Sequence, residues 1–377
     1  MRTLALILRR QRLEYAGFLH DGAAVLQAEV PSTCGMAEPP ALRETLRRIG
    51  AEFHRSAGGP PEVIALRLPF GGQAITAPCI ANAATAERLR AAASQAPLHV
   101  PPVIRLAECC ADVFPGAPVA FVPETGFFAA LPEREHSYGL DAGVMLAMNL
   151  RRYGFHGIFH EAACAWMARR ARNEGIAGSQ RILSIVLEPK LEAAAVIGGR
   201  PLTVTGGATP LEGLPGETSG GDTDAGIVLA VAREMGWGAE QINAALTRES
   251  GLYGLAGRRI TFPYLFDSND ETLEPVREIV RYRLLLACGS GIAAMGGLDG
   301  IVFSGRYATL GERLRPWLAG RLRLKGDSTR PVAWERLNTP LSRLLADAAI
   351  AAMLREPASS RDTPSGLRSL PRHAKHG

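Results

Sequence analysis

The chain has 377 residues, of which 47% are hydrophobic and 21% charged, and its 42 basic and 37 acidic side chains leave a net charge of +5. That length exceeds one ordinary core and suits two domains of roughly 150 to 200 residues each. No apolar run spans a bilayer, no charged-then-apolar signal pattern opens the chain, and the basic excess is spread out rather than gathered, so neither a membrane nor a nucleic acid is expected as partner.

In chain order, residues 3–8 (TLALIL), 13–19 (LEYAGFL) and 23–30 (AAVLQAEV) are short apolar or alternating segments that suit an antiparallel meander. "HEAACAWMARRARNEG" repeats apolar residues at helical spacing and stops at Gly175. A second triplet follows at 181–187 (RILSIVL), 192–197 (EAAAVI) and 201–205 (PLTVT), so the chain reads as two similar halves. "TDAGIVLAVAREMGWG" predicts a helix capped by Thr223 and closing near Gly236. Residues 270–294 and 341–356 predict two more, with a buried strand between them in "DGIVFSG" at 299–305. The tail from 357, rich in Pro, Ser and Arg, is expected to be disordered. The six cysteines show neither zinc spacing nor a secreted framework, which points to reduced thiols and a cytoplasmic protein.

"GLPGETSGGDTDAG", 213–226, has the small-residue character of a loop that lets amides approach a phosphate. It contains no Lys or Arg, and Glu217, Asp222 and Asp224 add negative charge. The Asp222–Asp224 segment reads more simply as a capping turn.

"APLHVPP" (96–102), "RRYGFHGIFH" (151–160), "TPLEGL" (209–214) and "SGLYGLAG" (250–257) resemble, in this order and spacing, the acetate kinase family of carboxylate phosphotransferases. The similarity runs from about residue 60 to 305. It implies an α/β, duplicated, two-lobed fold of the actin, Hsp70 and sugar-kinase type, each lobe a mixed sheet flanked by helices. The implied lobes are 1–124, with 339–356 returning to it, and 125–338. The implied reaction moves a phosphoryl group between ATP, with Mg²⁺, and a short carboxylate, in a homodimer. By motif position, Arg67 in "ALRLPFGG" and His99 in "APLHVPP" match active-site residues, and His156 in "YGFHG" matches the histidine that stabilises the transferring group. Leu98, Phe155 and Pro210 match the apolar acid pocket, and Glu124 in "VPETGFF" stands where an aspartate serves Mg²⁺. His160, four residues after His156, has no third ligand at a recognisable spacing and is expected to support the helix start.

The same comparison shows departures. The second essential arginine falls at Ser219, and the phosphate-facing first turn is replaced by "ILRRQRLEY", with Arg10 and Arg12 near its serine positions. The first nucleotide loop aligns with "VLEPK" (186–190), where Pro189 lacks an amide donor and Glu188 brings repulsion. The second aligns with "RYATL" (306–310), and the C-terminal metal glutamate falls near Thr339. Two readings follow: a phosphotransferase with degenerate nucleotide contacts, or an inactive paralogue that binds a small acid or regulates.

Overall fold

The apolar run TLALIL becomes β1 (Thr3–Leu8) in the computed structural model, which describes residues 1–31, 38–322 and 331–355. Leu4, Ala5 and Leu6 are all fully buried. Successive strand residues face opposite ways, so burial of three in a row requires cover on both faces of the sheet. β1 pairs antiparallel with β2 (Arg12–Phe18), which pairs antiparallel with β3 (Ala24–Pro31). The amphipathic helix Pro39–Ala57 follows, burying Leu42, Leu46, Ile49 and Phe53. The Phe53 ring lies so close to Gly17 of β2 that a Cβ there would sit 2.9 Å from it. β4 (Val63–Leu68) then runs parallel to β1, with β5 (Cys79–Ile80) and β6 (Val119–Pro123) completing a six-stranded sheet in the order β3-β2-β1-β4-β6-β5. The last described helix, Leu341–Arg355, packs on this sheet, so the first compact unit comprises Met1–Ala129 and the chain from Pro340 onward.

The second unit, Ala130–Thr339, repeats the plan. β7 (Arg181–Val186), β8 (Glu192–Ile197) and β9 (Arg200–Val204) form an antiparallel meander, and β10 (Gly300–Ser304) and β11 (Ala333–Arg336) join in parallel to give the order β11-β10-β7-β8-β9. Its core is built from Leu183, Ile185, Phe262, Leu284, Ile301 and Phe303 with their neighbours.

Two sequence expectations need adjustment. The cap of helix Ala225–Met235 is Asp224, whose carboxylate accepts from the Gly226 amide, while the Thr223 hydroxyl donates instead to the Gly221 carbonyl at 3.1 Å. The helix expected over 270–294 begins as a 3₁₀ turn at Glu271–Leu273 and is α-helical over Glu274–Met295. Glu356 and the tail from 357 lie outside the described residues. The five described cysteines are free thiols, and no described helix is long and apolar enough to cross a membrane.

Candidate functional site

In an open α/β sheet, the carboxyl ends of neighbouring parallel strands present loops and unpaired amides toward one edge, which is where such sheets hold ligands. β4 and β6 are such a pair in the first unit. Arg67 lies near the end of β4 and Glu124 follows β6 directly, placing Arg67 Nε 2.6 Å from Glu124 Oε1. Glu124 is fully buried and the Arg67 side chain is 12% exposed. Among the described residues only Nε of the guanidinium is engaged, which leaves its terminal nitrogens for a carboxylate or phosphate in a two-pronged contact. Thr125 fixes the adjoining turn by accepting from the Gly71 and Gly72 amides, both at 3.1 Å.

His99 is the N-cap of helix Val100–Val113. The residue keeps exposed surface, yet the protein around the ring, aided by the Arg67 charge, pushes its pKa down to about 4. With its pKa lowered, the imidazole is neutral at pH 7. Leu98 is 66% exposed and Pro210 is exposed as well, so neither serves as ordinary core packing; Phe155 is half-buried. Arg12 is held on β2 by Glu14 at 2.8 Å and Glu29 at 3.3 Å, and Arg10 is exposed in the turn between β1 and β2.

In the second unit β7 and β10 are the parallel neighbours, and the stretches beyond them meet. The Tyr307 amide donates to the Leu187 carbonyl at 2.9 Å. Glu188, 3% exposed, accepts from the Arg306 amide at 2.8 Å and from Arg306 Nε at 3.2 Å. One amide and one guanidinium N–H are the donors that a bound anion would use at such a strand end, and here a carboxylate of the protein takes them. The repulsive Glu188 expected from the sequence is therefore an internally paired carboxylate. Glu217 continues the arrangement, accepting from the Phe262 amide at 3.0 Å and from the Tyr307 hydroxyl; burial holds its carboxyl above the usual range.

Several amides of the glycine-rich stretch 213–226 are spent on the protein itself. Gly213 donates to Asp222 at 2.7 Å, Gly216 to the Ser219 carbonyl at 2.8 Å, Glu217 to the Pro189 carbonyl at 2.7 Å and Gly220 to the Leu246 carbonyl at 3.0 Å. Ser219 is half-buried within this turn, its Oγ close enough that a Cβ on Gly216 would fall 2.5 Å away. Lys190 supplies a cation beside this stretch. Its ammonium donates to the Leu214 carbonyl, and burial pushes its pKa down to about 8.

His156 is the N-cap of helix Gly157–Asn173 and has a positive φ of 52°, a backbone region that non-glycine residues rarely enter. His160, one turn on, is fully buried, with Nδ1 2.8 Å from Ser184 Oγ and Nε2 3.3 Å from Glu192 Oε1. The ring thus ties helix Gly157–Asn173 to β7 and β8. No group of three His, Cys, Asp or Glu side chains that could hold a metal occurs among the described residues. Glu192 and Lys190 were not anticipated as parts of this region; the signal available in the sequence was a lone carboxylate opening the apolar run EAAAVI.

A model of the acetokinase family matches residues 40–317. The acetate kinase of Pseudomonas aeruginosa is 32% identical over 295 residues, covering 75% of this chain and 72% of that protein; that of Deinococcus radiodurans is 33% identical over 308 residues, covering 80% and 74%. Among solved structures, a propionate kinase from Francisella tularensis superposes with a TM-score of 0.79 at 19% identity, covering 92% of this chain and 98% of that one. The Porphyromonas gingivalis acetate kinase gives 0.77 at 21%, covering 93% and 99%. Two mixed sheets built on the same meander-plus-parallel plan, flanked by helices, are the actin, Hsp70 and sugar-kinase fold. With the family model spanning well over half its length, the chain belongs to the acetokinase family.

Proposed function

We propose that this protein is a carboxylate phosphotransferase of the acetokinase type, moving the terminal phosphoryl group of ATP to a short carboxylate such as acetate to give ADP and the acyl phosphate, with weak activity. Phosphoryl transfer asks a protein for alignment and for neutralisation of spreading charge rather than for covalent chemistry. In this reading Arg67 grips the carboxylate or transferring group with its terminal nitrogens. His99, neutral at pH 7, serves as a hydrogen-bonding partner, and His156 meets the phosphoryl oxygens. Leu98, Phe155 and Pro210 give apolar cover to the alkyl group of acetate or propionate, at roughly 0.8 kcal/mol per buried CH₂. Glu124 would hold Mg²⁺ through its carboxylate, and the ion would neutralise phosphate charge.

The observation that carries the weak activity is Glu188. Its carboxylate takes the amide and the Nε–H of Arg306 where a polyphosphate would need them, and the neutral Ser219 offers no replacement cation. Loss of a transition-state arginine alone costs on the order of a thousandfold in rate. This same carboxylate favours the second reading, an inactive paralogue that binds a small acid. Calorimetry with MgATP, combined with hydroxylamine trapping of acyl phosphate, separates the two: slow turnover supports the weak enzyme, and acid binding without turnover supports the paralogue. Turnover at the typical kinase rate of ~1–100 s⁻¹ would refute the weak activity. We further expect a homodimer, in keeping with the exposed Ile227, Leu229 and Met235 on helix Ala225–Met235; light scattering tests this.

A further inference from the structure

Glu192 is a carboxylate in a strand of alanines, 3% exposed, and no role assigned above uses it. A buried carboxylate persists only when its oxygens are occupied, and these are. Both lie 3.0 Å from the Phe155 amide nitrogen, and Oε1 also faces His160 Nε2 at 3.3 Å. His160 is braced in turn by Ser184 on the neighbouring strand β7. Ser184, His160 and Glu192 have the composition of a nucleophile triad, but Ser184 and His160 are fully buried, so no substrate reaches the hydroxyl.

The cluster instead holds a turn. The Tyr153 and Gly154 amides donate to the Gly207 carbonyl at 3.0 and 3.3 Å, and Arg152 Nη1 donates to the Gly206 carbonyl at 3.1 Å. Glu192 takes the next amide, that of Phe155. Immediately after it comes His156 with its left-handed backbone, a conformation that costs about 1–3 kcal/mol and is kept only where the surroundings over-determine it. Gly206 records how closely the carboxylate approaches: a Cβ there would stand 2.1 Å from Glu192 Oε2.

We propose that Glu192, braced by His160 and Ser184, is a positioning residue for His156: it fixes the Phe155–His156 turn and with it the direction of the His156 ring. The catalytic consequence rests on the reading of His156 given under the proposed function; the anchoring itself does not.

The test uses the full chain and two readouts. The His156 ring resonance, assigned by its loss in His156→Asn, and the hydrogen exchange of the Phe155 amide are followed by NMR in wild type, Glu192→Ala, Glu192→Gln and Gly206→Ala. Glu192→Ala is expected to speed Phe155 exchange at least tenfold and to shift the His156 signal. Its kcat should fall on the order of 100-fold with KM for acetate changed less than about threefold, as for a misdirected catalytic group. Glu192→Gln keeps an acceptor for the Phe155 amide and should recover most of both readouts. Gly206→Ala displaces the carboxylate without deleting it, so it covers the case in which Glu192→Ala does not fold, and it should reproduce the His156 shift. A folded Glu192→Ala or Gly206→Ala with wild-type Phe155 exchange and an unmoved His156 signal overturns the proposal. If His156→Asn leaves acetyl phosphate binding and turnover unchanged, the phosphoryl role of His156 fails, while Phe155 exchange still decides whether Glu192 anchors the turn.

Discussion

Each unit ends a pair of parallel strands with an arginine bound to a buried glutamate, and the two pairs do opposite things. In the first unit Glu124 takes only Nε of Arg67, so the carboxylate braces the guanidinium and leaves its terminal nitrogens to a ligand. In the second, Glu188 takes the backbone amide of Arg306 as well as its side chain, so the carboxylate occupies the anion position. The same two residue types make a donor site in one unit and fill one in the other. In both pairs the guanidinium gives its Nε, and what decides is whether the backbone amide is spent too, a distinction that residue identity alone does not carry.

The largest effect that would sharpen this contrast is a gain. Glu188→Gly combined with Ser219→Arg empties the filled position and restores a cation, and should raise ATP-dependent acyl hydroxamate formation by up to ~1,000-fold, the scale of one transition-state arginine. No gain in either ATP binding or turnover breaks the comparison. Next is Arg67→Ala, which strands the buried Glu124 carboxylate and should cost about 3 kcal/mol or more in urea unfolding as well as abolishing acid binding. Arg306→Ala should cost less, because the Arg306 side chain is 29% exposed and water can replace part of what it gives. Equal losses would remove the asymmetry.

Alkaline pH gives a smaller, graded effect. Burial pushes the Cys164 and Cys288 thiols from 9.0 up to about 12. Between pH 9 and 12 the unfolded chain has released these protons and the folded chain keeps them, so stability is full below pH 9 and is lost as pH rises, at about 1.4 kcal/mol per pH unit for each thiol. Lys190 opposes this: with its pKa lowered from 10.5 to about 8, it adds stability between those values as pH rises. The two thiols, joined by Tyr15 and Tyr307, both raised to about 12, outweigh it. The urea midpoint should therefore fall from pH 9 to 11, and a steady climb contradicts the assignment. Smallest of all, Asp224→Ala removes the cap of helix Ala225–Met235 and should cost about 1 kcal/mol; a change of this size that left ATP and acid binding untouched would show that the acidic end of 213–226 is structural.

Much of the architecture was legible because its signals are local. TLALIL and RILSIV each open a triplet of short apolar or alternating segments that suits an antiparallel meander, and the recurrence of that triplet announced the duplication. The strings YGFHG and TPLEGL carried the family. The functional detail was less legible because it depends on pairings across sequence. Glu188 read as a repulsive charge, since Arg306, 118 residues away, had no visible relation to it. Glu192 read as the polar start of a strand, since its partners Phe155 and His160 lie on another element. For the helix cap the sequence offered both Thr223 and the Asp222–Asp224 turn; both residue types cap, and the turn geometry chooses Asp224.

Whether the second unit has filled its own anion position is tested most directly by calorimetric titration of wild-type and Glu188→Gly chains, each with MgATP and with acetyl phosphate. MgATP affinity should be weaker than millimolar in wild type and tighten at least tenfold in Glu188→Gly, with acetyl phosphate binding similar in both. Micromolar MgATP binding to the wild-type chain, unchanged by Glu188→Gly, would contradict it.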